Sequence, residues 1–246
     1  NPAQPRVQHH AGQANVRAAA AWLRANLGRP STLLVHGVSA GGAGSTATYA
    51  LMRDALQPSG RASLLADSGP LFDAPRGAPP ERAPSLGLHE RIRAAWGLDA
   101  PDGLISRLAG MVGFDTGNLG SVARALSLRY PNDRFGYMVF QADGIYSAFN
   151  YAPFYADIAN APDEATARAL IAARWRTDLG NWTMLLNSLG NVSYHLPFFR
   201  DFNESHCLTL IDFSGTGIEE RGIPSLSRFV DNTLDRGAPM RNIEFD

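Results

Sequence analysis

Thr32-Leu33-Leu34-Val35-His36-Gly37-Val38-Ser39-Ala40-Gly41-Gly42 is the stretch that decides how the rest of the chain is read. An apolar run leads into Gly37-Val38-Ser39-Ala40-Gly41, and a helix-compatible stretch from Ala43 to Leu56 follows. Strand, tight turn and helix in that order make G-x-S-x-G a nucleophile elbow. The turn strains the serine backbone, so its neighbours must be small. Gly37 and Gly41 leave room for strand and helix to approach, and Ser39 Oγ then projects above the sheet. A helix starting just after the serine aims free N–H groups and its positive end at a developing oxyanion.

Upstream, residues 13 to 27 read as an amphipathic helix with Val16, Ala19, Ala20, Leu23 and Leu27 on one side, ended by Gly28 and Pro30. Downstream, Ala62 to Ala66 is a second short strand that runs into Asp67-Ser68-Gly69. This rhythm predicts an α/β class with a mostly parallel sheet flanked by helices. The stretch Leu71 to Pro84, rich in Pro, Gly and Ala, leaves the sheet as a loop. Short helices are expected over 88–98, 103–112 and 119–128, so residues 71–134 read as a lid insertion above the carboxyl edge of the sheet. Further strands are expected at 136–141, closed by Ala142-Asp143-Gly144, and at 194–202, with helices over 162–189 and 225–235. The whole is one domain over residues 1–246.

Composition removes several kinds of chemistry. All 22 basic residues are arginine, so lysine Schiff bases and a Walker A phosphate loop are excluded. That usage and the alanine content point to a GC-rich bacterial gene. A net charge of −1 gives no general attraction to nucleic acid or anionic membrane. Cys207 is the only cysteine, so the chain forms no internal disulfide. No apolar run reaches the length of a membrane span. The chain opens on a polar segment and a helix, where a hydrolase of this kind lays down several strands first. The expectation is that N-terminal strands are missing from this chain.

A serine nucleophile needs a base within hydrogen-bond reach and a carboxylate to orient that base. On a parallel sheet these groups belong just after the carboxyl ends of strands. Ser39, Asp143 and His206 occupy such positions, in the order Ser, Asp, His of an α/β-hydrolase. Asp67 also ends a strand and is the rival acid; strand order favours Asp143 and leaves Asp67 a structural residue near the elbow. His9 and His10 lie in the polar opening, His36 within the elbow strand as a packed, hydrogen-bonded residue, His89 in the lid stretch and His195 inside the last strand. Only His206 lies in a loop after that strand. Neither His9-His10 nor His206-Cys207 has the spacing of a zinc site, and no metal or other cofactor is expected.

Gly37-Val-Ser-Ala-Gly-Gly, Asp67-Ser-Gly, the strand ending Gln141-Ala-Asp143 and Ser205-His206-Cys207 together resemble the pectin acetylesterase family. Gly12-Gln-Ala-Asn-Val with Trp22-Leu is similar to the bacterial members upstream of their elbow. The resemblance covers most of the chain in order, and the elbow is its most specific element. It implies an α/β-hydrolase fold and carboxylic ester cleavage without a metal, with Ser39 as nucleophile, Asp143 as acid and His206 as base. It also implies one oxyanion N–H from Ala40. The family's other oxyanion donors come from a Gly-rich loop upstream of this chain's first residue. A location outside the cytoplasm, secreted or in the bacterial envelope, is implied by the resemblance alone.

Three functional readings follow. One is a carbohydrate O-acetylesterase, which requires a small pocket beside Ser39. A second is a lipase or polyester depolymerase with the same triad, in which Phe72, Trp96, Phe114, Tyr146, Phe149 and Tyr151 are candidate walls for a longer acyl chain. The third is a binding protein on an inactive hydrolase fold. The oligomeric state is left open.

Overall fold

The computed structural model describes residues 10–235, 237 and 239–244. The chain runs α1 (Gly12–Leu27), β1 (Thr32–Val38), α2 (Ala40–Leu56), β2 (Arg61–Asp67), α3 (Leu86–Trp96), α4 (Leu104–Leu108) and α5 (Val122–Arg129). It continues through β3 (Arg134–Met138), α6 (Gly144–Tyr151), α7 (Ala156–Ala159), α8 (Glu164–Asn187), β4 (Val192–Leu196), α9 (Ser227–Leu234) and β5 (Ile243–Glu244). The five strands form one sheet in sequence order, every pair parallel. β1 is an edge among the described strands, and its Leu34 is exposed.

Alternating side chains supply both faces. Leu64, Ala66, Phe135 and Tyr137 join the larger core with residues of α2, α5 and α8. Leu65, Met138 and Phe140 face the other way, onto Leu226 and Phe229 at α9. Because both faces are covered, β2 and β4 are buried almost throughout, with Ser63, Asp67, Ser193 and His195 buried among their apolar residues. Phe72 packs edge-to-face on Trp175 (5.1 Å) and Trp182 (6.0 Å), tying the segment after β2 to α8.

Several boundaries differ from expectation for identifiable reasons. α2 starts at Ala40, ahead of the run Gly41-Gly42-Ala43-Gly44 rather than at Ala43, because the turn at Ser39 feeds it directly. Low helix propensity there is overridden by packing against β1 and β2. The last long strand ends at Leu196, since Pro197 has no N–H to continue a ladder. On α1 only Ala20 is buried; Leu23 packs on the core, while Ala19 and Leu27 of the expected apolar face are exposed. Within residues 71–134, α5 joins the larger core. It packs against α2 and α8 as the connection from β2 to β3, with Ala125 and Leu126 fully buried.

Candidate active site

β1 and β2 stay in register up to Val38 opposite Asp67, and Ser39 N–H then donates to Asp67 C=O at 2.8 Å. Ser39 has φ 54° and ψ −126°, a conformation that costs energy for any residue with a Cβ. The packing around it is close. A Cβ on Gly37 would lie 2.0 Å from Gly41 O, one on Gly42 2.5 Å from Asp67 O, and one on Gly69 2.0 Å from Ser39 O. A Cβ on Gly41 would meet nothing within 4 Å. Gly37, Gly42 and Gly69 therefore hold the crowded positions. Gly41, expected to share that task, contributes its backbone rather than its missing side chain.

Asp143 follows β3 and caps α6, where its Oδ1 accepts Tyr146 N–H at 2.8 Å. Its Oδ2 accepts from His206 Nδ1 at 2.8 Å. The carboxyl is buried, and burial pushes its pKa up, while the His206 hydrogen bond and Tyr146 N–H pull it down. His206 Nε2 lies 2.8 Å from Ser39 Oγ. With an acceptor on Nδ1, the neutral ring carries its proton there and leaves Nε2 to accept from the serine hydroxyl. Tyr146 lies nearly parallel to the His206 ring, centroids 6.2 Å apart. The three residues named from the sequence thus converge in one hydrogen-bonded line.

Ala40 and Gly41 open α2 and are exposed. First-turn N–H groups have no acceptor within their own helix, so both are free to bind an anion beside Ser39. The loop bearing His206 is unusual. Asn203, Glu204, Ser205 and Cys207 all have φ between 49° and 66°. Arg200 braces it, donating through Nη2 to Cys207 C=O at 2.5 Å, and Ser205 Oγ donates to Arg200 C=O at 2.9 Å.

The remaining candidates lie elsewhere. His36 is exposed rather than packed; its Nδ1 is 2.8 Å from Leu65 C=O and its Nε2 3.3 Å from Thr209 Oγ1. His195 is buried, with Nε2 2.7 Å from Thr216 C=O. His89 is buried on α3, and burial lowers its pKa to about 4. His10 lies beside Trp96, and His9 falls outside the described residues. Burial and the nearby Asp67 push the Cys207 thiol up to about 12, so it is no thiolate nucleophile. Asp67 does not bond the imidazole; it faces the backbone after His206. Among the described residues no group of three or more His, Cys, Asp or Glu side chains is arranged to hold a metal ion. None of the described helices is long and apolar enough to cross a membrane.

Of the six aromatics expected to wall an acyl site, Phe72 and Tyr151 are core residues, Phe114 packs against the same core and Trp96 sits against His10. Tyr146 lies against His206, and Phe149 lies against Tyr146. Sequence reasoning missed Phe198, Phe199 and Phe202, which are exposed in the segment between β4 and His206. Phe198 C=O accepts Ala142 N–H at 3.0 Å, directly beside Asp143. Ile145 and Phe149, one turn apart on α6, are also exposed. A cavity of about 770 Å³ between α1, α2 and α4, floored by Ala18, Leu51, Leu108 and Met111, touches no residue of the triad. Scanned against models of protein families the chain matches none, and a search of curated proteins returns no match.

Proposed function

We propose that this chain is a serine carboxylesterase on an α/β-hydrolase fold, hydrolysing carboxylic esters through Ser39, His206 and Asp143. One observation carries the reading: Ser39 Oγ, His206 and Asp143 are joined by two hydrogen bonds of 2.8 Å at the carboxyl ends of three parallel strands. A structural serine in a tight turn has no need of an oriented imidazole and a buried carboxylate behind it.

In this mechanism His206 Nε2 takes the Ser39 hydroxyl proton as Oγ attacks the ester carbonyl carbon. Asp143 holds the Nδ1–H tautomer and stabilises the imidazolium. The tetrahedral oxyanion receives Ala40 N–H at the start of α2, a donor worth about 3–4 kcal/mol in comparable sites. His206 returns the proton to the departing alcohol oxygen as the C–O bond breaks, which leaves an acyl-Ser39. Water, deprotonated by His206, then releases the carboxylic acid and restores the serine. Within the stretch 71–134, α3 packs against α6, the helix capped by Asp143, and is the part proposed as a wall or lid.

The test is hydrolysis of p-nitrophenyl esters from acetyl upward by the wild type and Ser39→Ala. The expected result is turnover that falls by about 10⁴-fold or more in the variant. A folded wild type inactive at every chain length would sink the reading and favour a binding protein on an inactive fold. Between substrates, the exposed Ile145, Phe149, Phe198, Phe199 and Phe202 favour an apolar ester, lipid or polyester, over an acetylated glycan of the kind the pectin acetylesterase resemblance implies.

A further inference from the structure

We propose that Asp67 is the positioning residue of the catalytic base: its carboxylate clamps the loop that carries His206 and so sets where the imidazole meets Ser39. The proposal rests on the triad reading above. Asp67 is fully buried at the end of β2. Its Oδ1 accepts Leu208 N–H at 2.9 Å and Ser68 Oγ–H at 2.8 Å. Its Oδ2 accepts Thr209 N–H at 2.8 Å and the Thr209 hydroxyl at 2.7 Å. Ser68 Oγ in turn accepts Cys207 N–H at 3.0 Å. Three consecutive peptide N–H groups, the three that follow His206, are therefore drawn onto one buried carboxylate and the hydroxyl bound to it.

A carboxylate offers about four lone-pair directions, and here four donors occupy them. The geometry is that of an anchor with no capacity left for the imidazole. The loop needs one. Left-handed backbone at Asn203, Glu204, Ser205 and Cys207 persists only where the surroundings over-determine it. Arg200 supplies the complementary half, taking the carbonyl of Cys207 at 2.5 Å while Asp67 takes the N–H groups beyond it.

The same residue also fixes the nucleophile. Asp67 C=O accepts Ser39 N–H at 2.8 Å, and Gly42 packs so close that a Cβ would lie 2.5 Å from that oxygen. One residue thus holds the Ser39 backbone through its carbonyl and the His206 loop through its carboxylate. Both ends of the Ser39–His206 hydrogen bond are referred to a single rigid position on β2.

The experiment compares wild type, Asp67→Asn, Thr209→Val and Thr209→Ser. Thermal unfolding reports the fold, kcat and KM are measured on a soluble ester, and the NMR signal of the hydrogen-bonded His206 Nδ1–H proton reports the base directly. Asp67→Asn points an amide N–H at groups that are themselves donors. Its kcat is expected to fall about 10²-fold with KM within about twofold, and the Nδ1–H signal to shift or broaden. Thr209→Val shows a smaller loss of the same kind, and Thr209→Ser restores both kcat and the signal. Should Asp67→Asn not fold, the two Thr209 variants decide. A folded Asp67→Asn, or a Thr209→Val, with wild-type kcat and an unmoved Nδ1–H signal overturns the proposal. A wild type that hydrolyses no ester, yet whose signal moves in these variants, refutes the esterase reading and leaves the clamp standing.

Discussion

Ser39 Oγ and His206 Nε2 stand 2.8 Å apart, although 167 positions of chain separate them. The strand end brings the serine there by strain, and a loop of left-handed residues brings the histidine. Neither side chain has much freedom to miss the other. That shared rigidity is what an acyl-transfer site requires, since misplacement by about 1 Å can cost 10²-fold in rate.

Gly69 is outside the G-x-S-x-G motif, yet a Cβ there would meet Ser39 O at 2.0 Å and Ala43 N at 2.6 Å. Both are backbone atoms, so the elbow must move. Gly69→Ala is expected to lower kcat by about 10²-fold or more. Gly41→Ala, whose Cβ meets nothing, is expected to keep the melting temperature or raise it slightly, as helix propensity favours alanine by about 0.5–1 kcal/mol. Equal effects of the two substitutions on Tm and kcat would refute this account of the elbow.

Asp143 has two tasks, capping α6 and orienting His206. Asn can accept Tyr146 N–H in the same way, so the fold should survive Asp143→Asn with little change in Tm. The amide cannot hold the Nδ1–H tautomer as a carboxylate does, and kcat should fall about 10⁴-fold. Retained activity in this variant would point to another acid.

Asp178 on α8 is buried, and burial raises its carboxyl from 3.8 to about 7, with Tyr151 OH donating to Oδ2 at 2.8 Å. Between those values the unfolded chain has lost this proton while the native one retains it. Native protein binds more protons, so this group makes stability fall as pH rises from about 4 to about 7. Asp178→Asn keeps an acceptor for Tyr151 and removes that loss. It is expected to gain on the order of 1 kcal/mol at pH 8, a rise of about 2–4 °C in Tm, and little at pH 4. Thermal unfolding at both pH values is the check; an equal effect at both refutes the assignment.

If the exposed phenylalanines beside Asp143 meet an apolar substrate phase, Phe198→Ser with Phe199→Ser should leave hydrolysis of soluble p-nitrophenyl acetate within about twofold. Activity on emulsified long-chain esters should fall about tenfold or more, the loss of roughly 1.4 kcal/mol or greater in transition-state binding. Parallel losses on both substrates would contradict the apolar-ester reading.

The elbow, the order of the three residues and the parallel rhythm were legible because each depends on local pattern: an apolar run, a glycine spacing, a loop after a strand. The crowding was not. Gly42 and Gly69 matter through atoms on β2 and α2 that only the folded chain brings together. α6 escaped notice because its signal, Asp143 as N-cap, was read as catalytic alone. The clamp at Asp67 has no sequence signature, since two of its four partners are peptide N–H groups about 140 positions away, which any residue provides. Periodicity assigned 119–128 a helix, but not its place in the core, which depends on Tyr130 and Leu126 meeting α2.

The central claim is that Ser39 is an activated nucleophile. The most direct measurement is the intact mass of the protein after exposure to a fluorophosphonate, with the modified peptide then located. The account predicts one adduct, on Ser39, absent in Ser39→Ala and much slower to form in His206→Ala. A folded wild type that gains no adduct, or gains it at another residue, would contradict it.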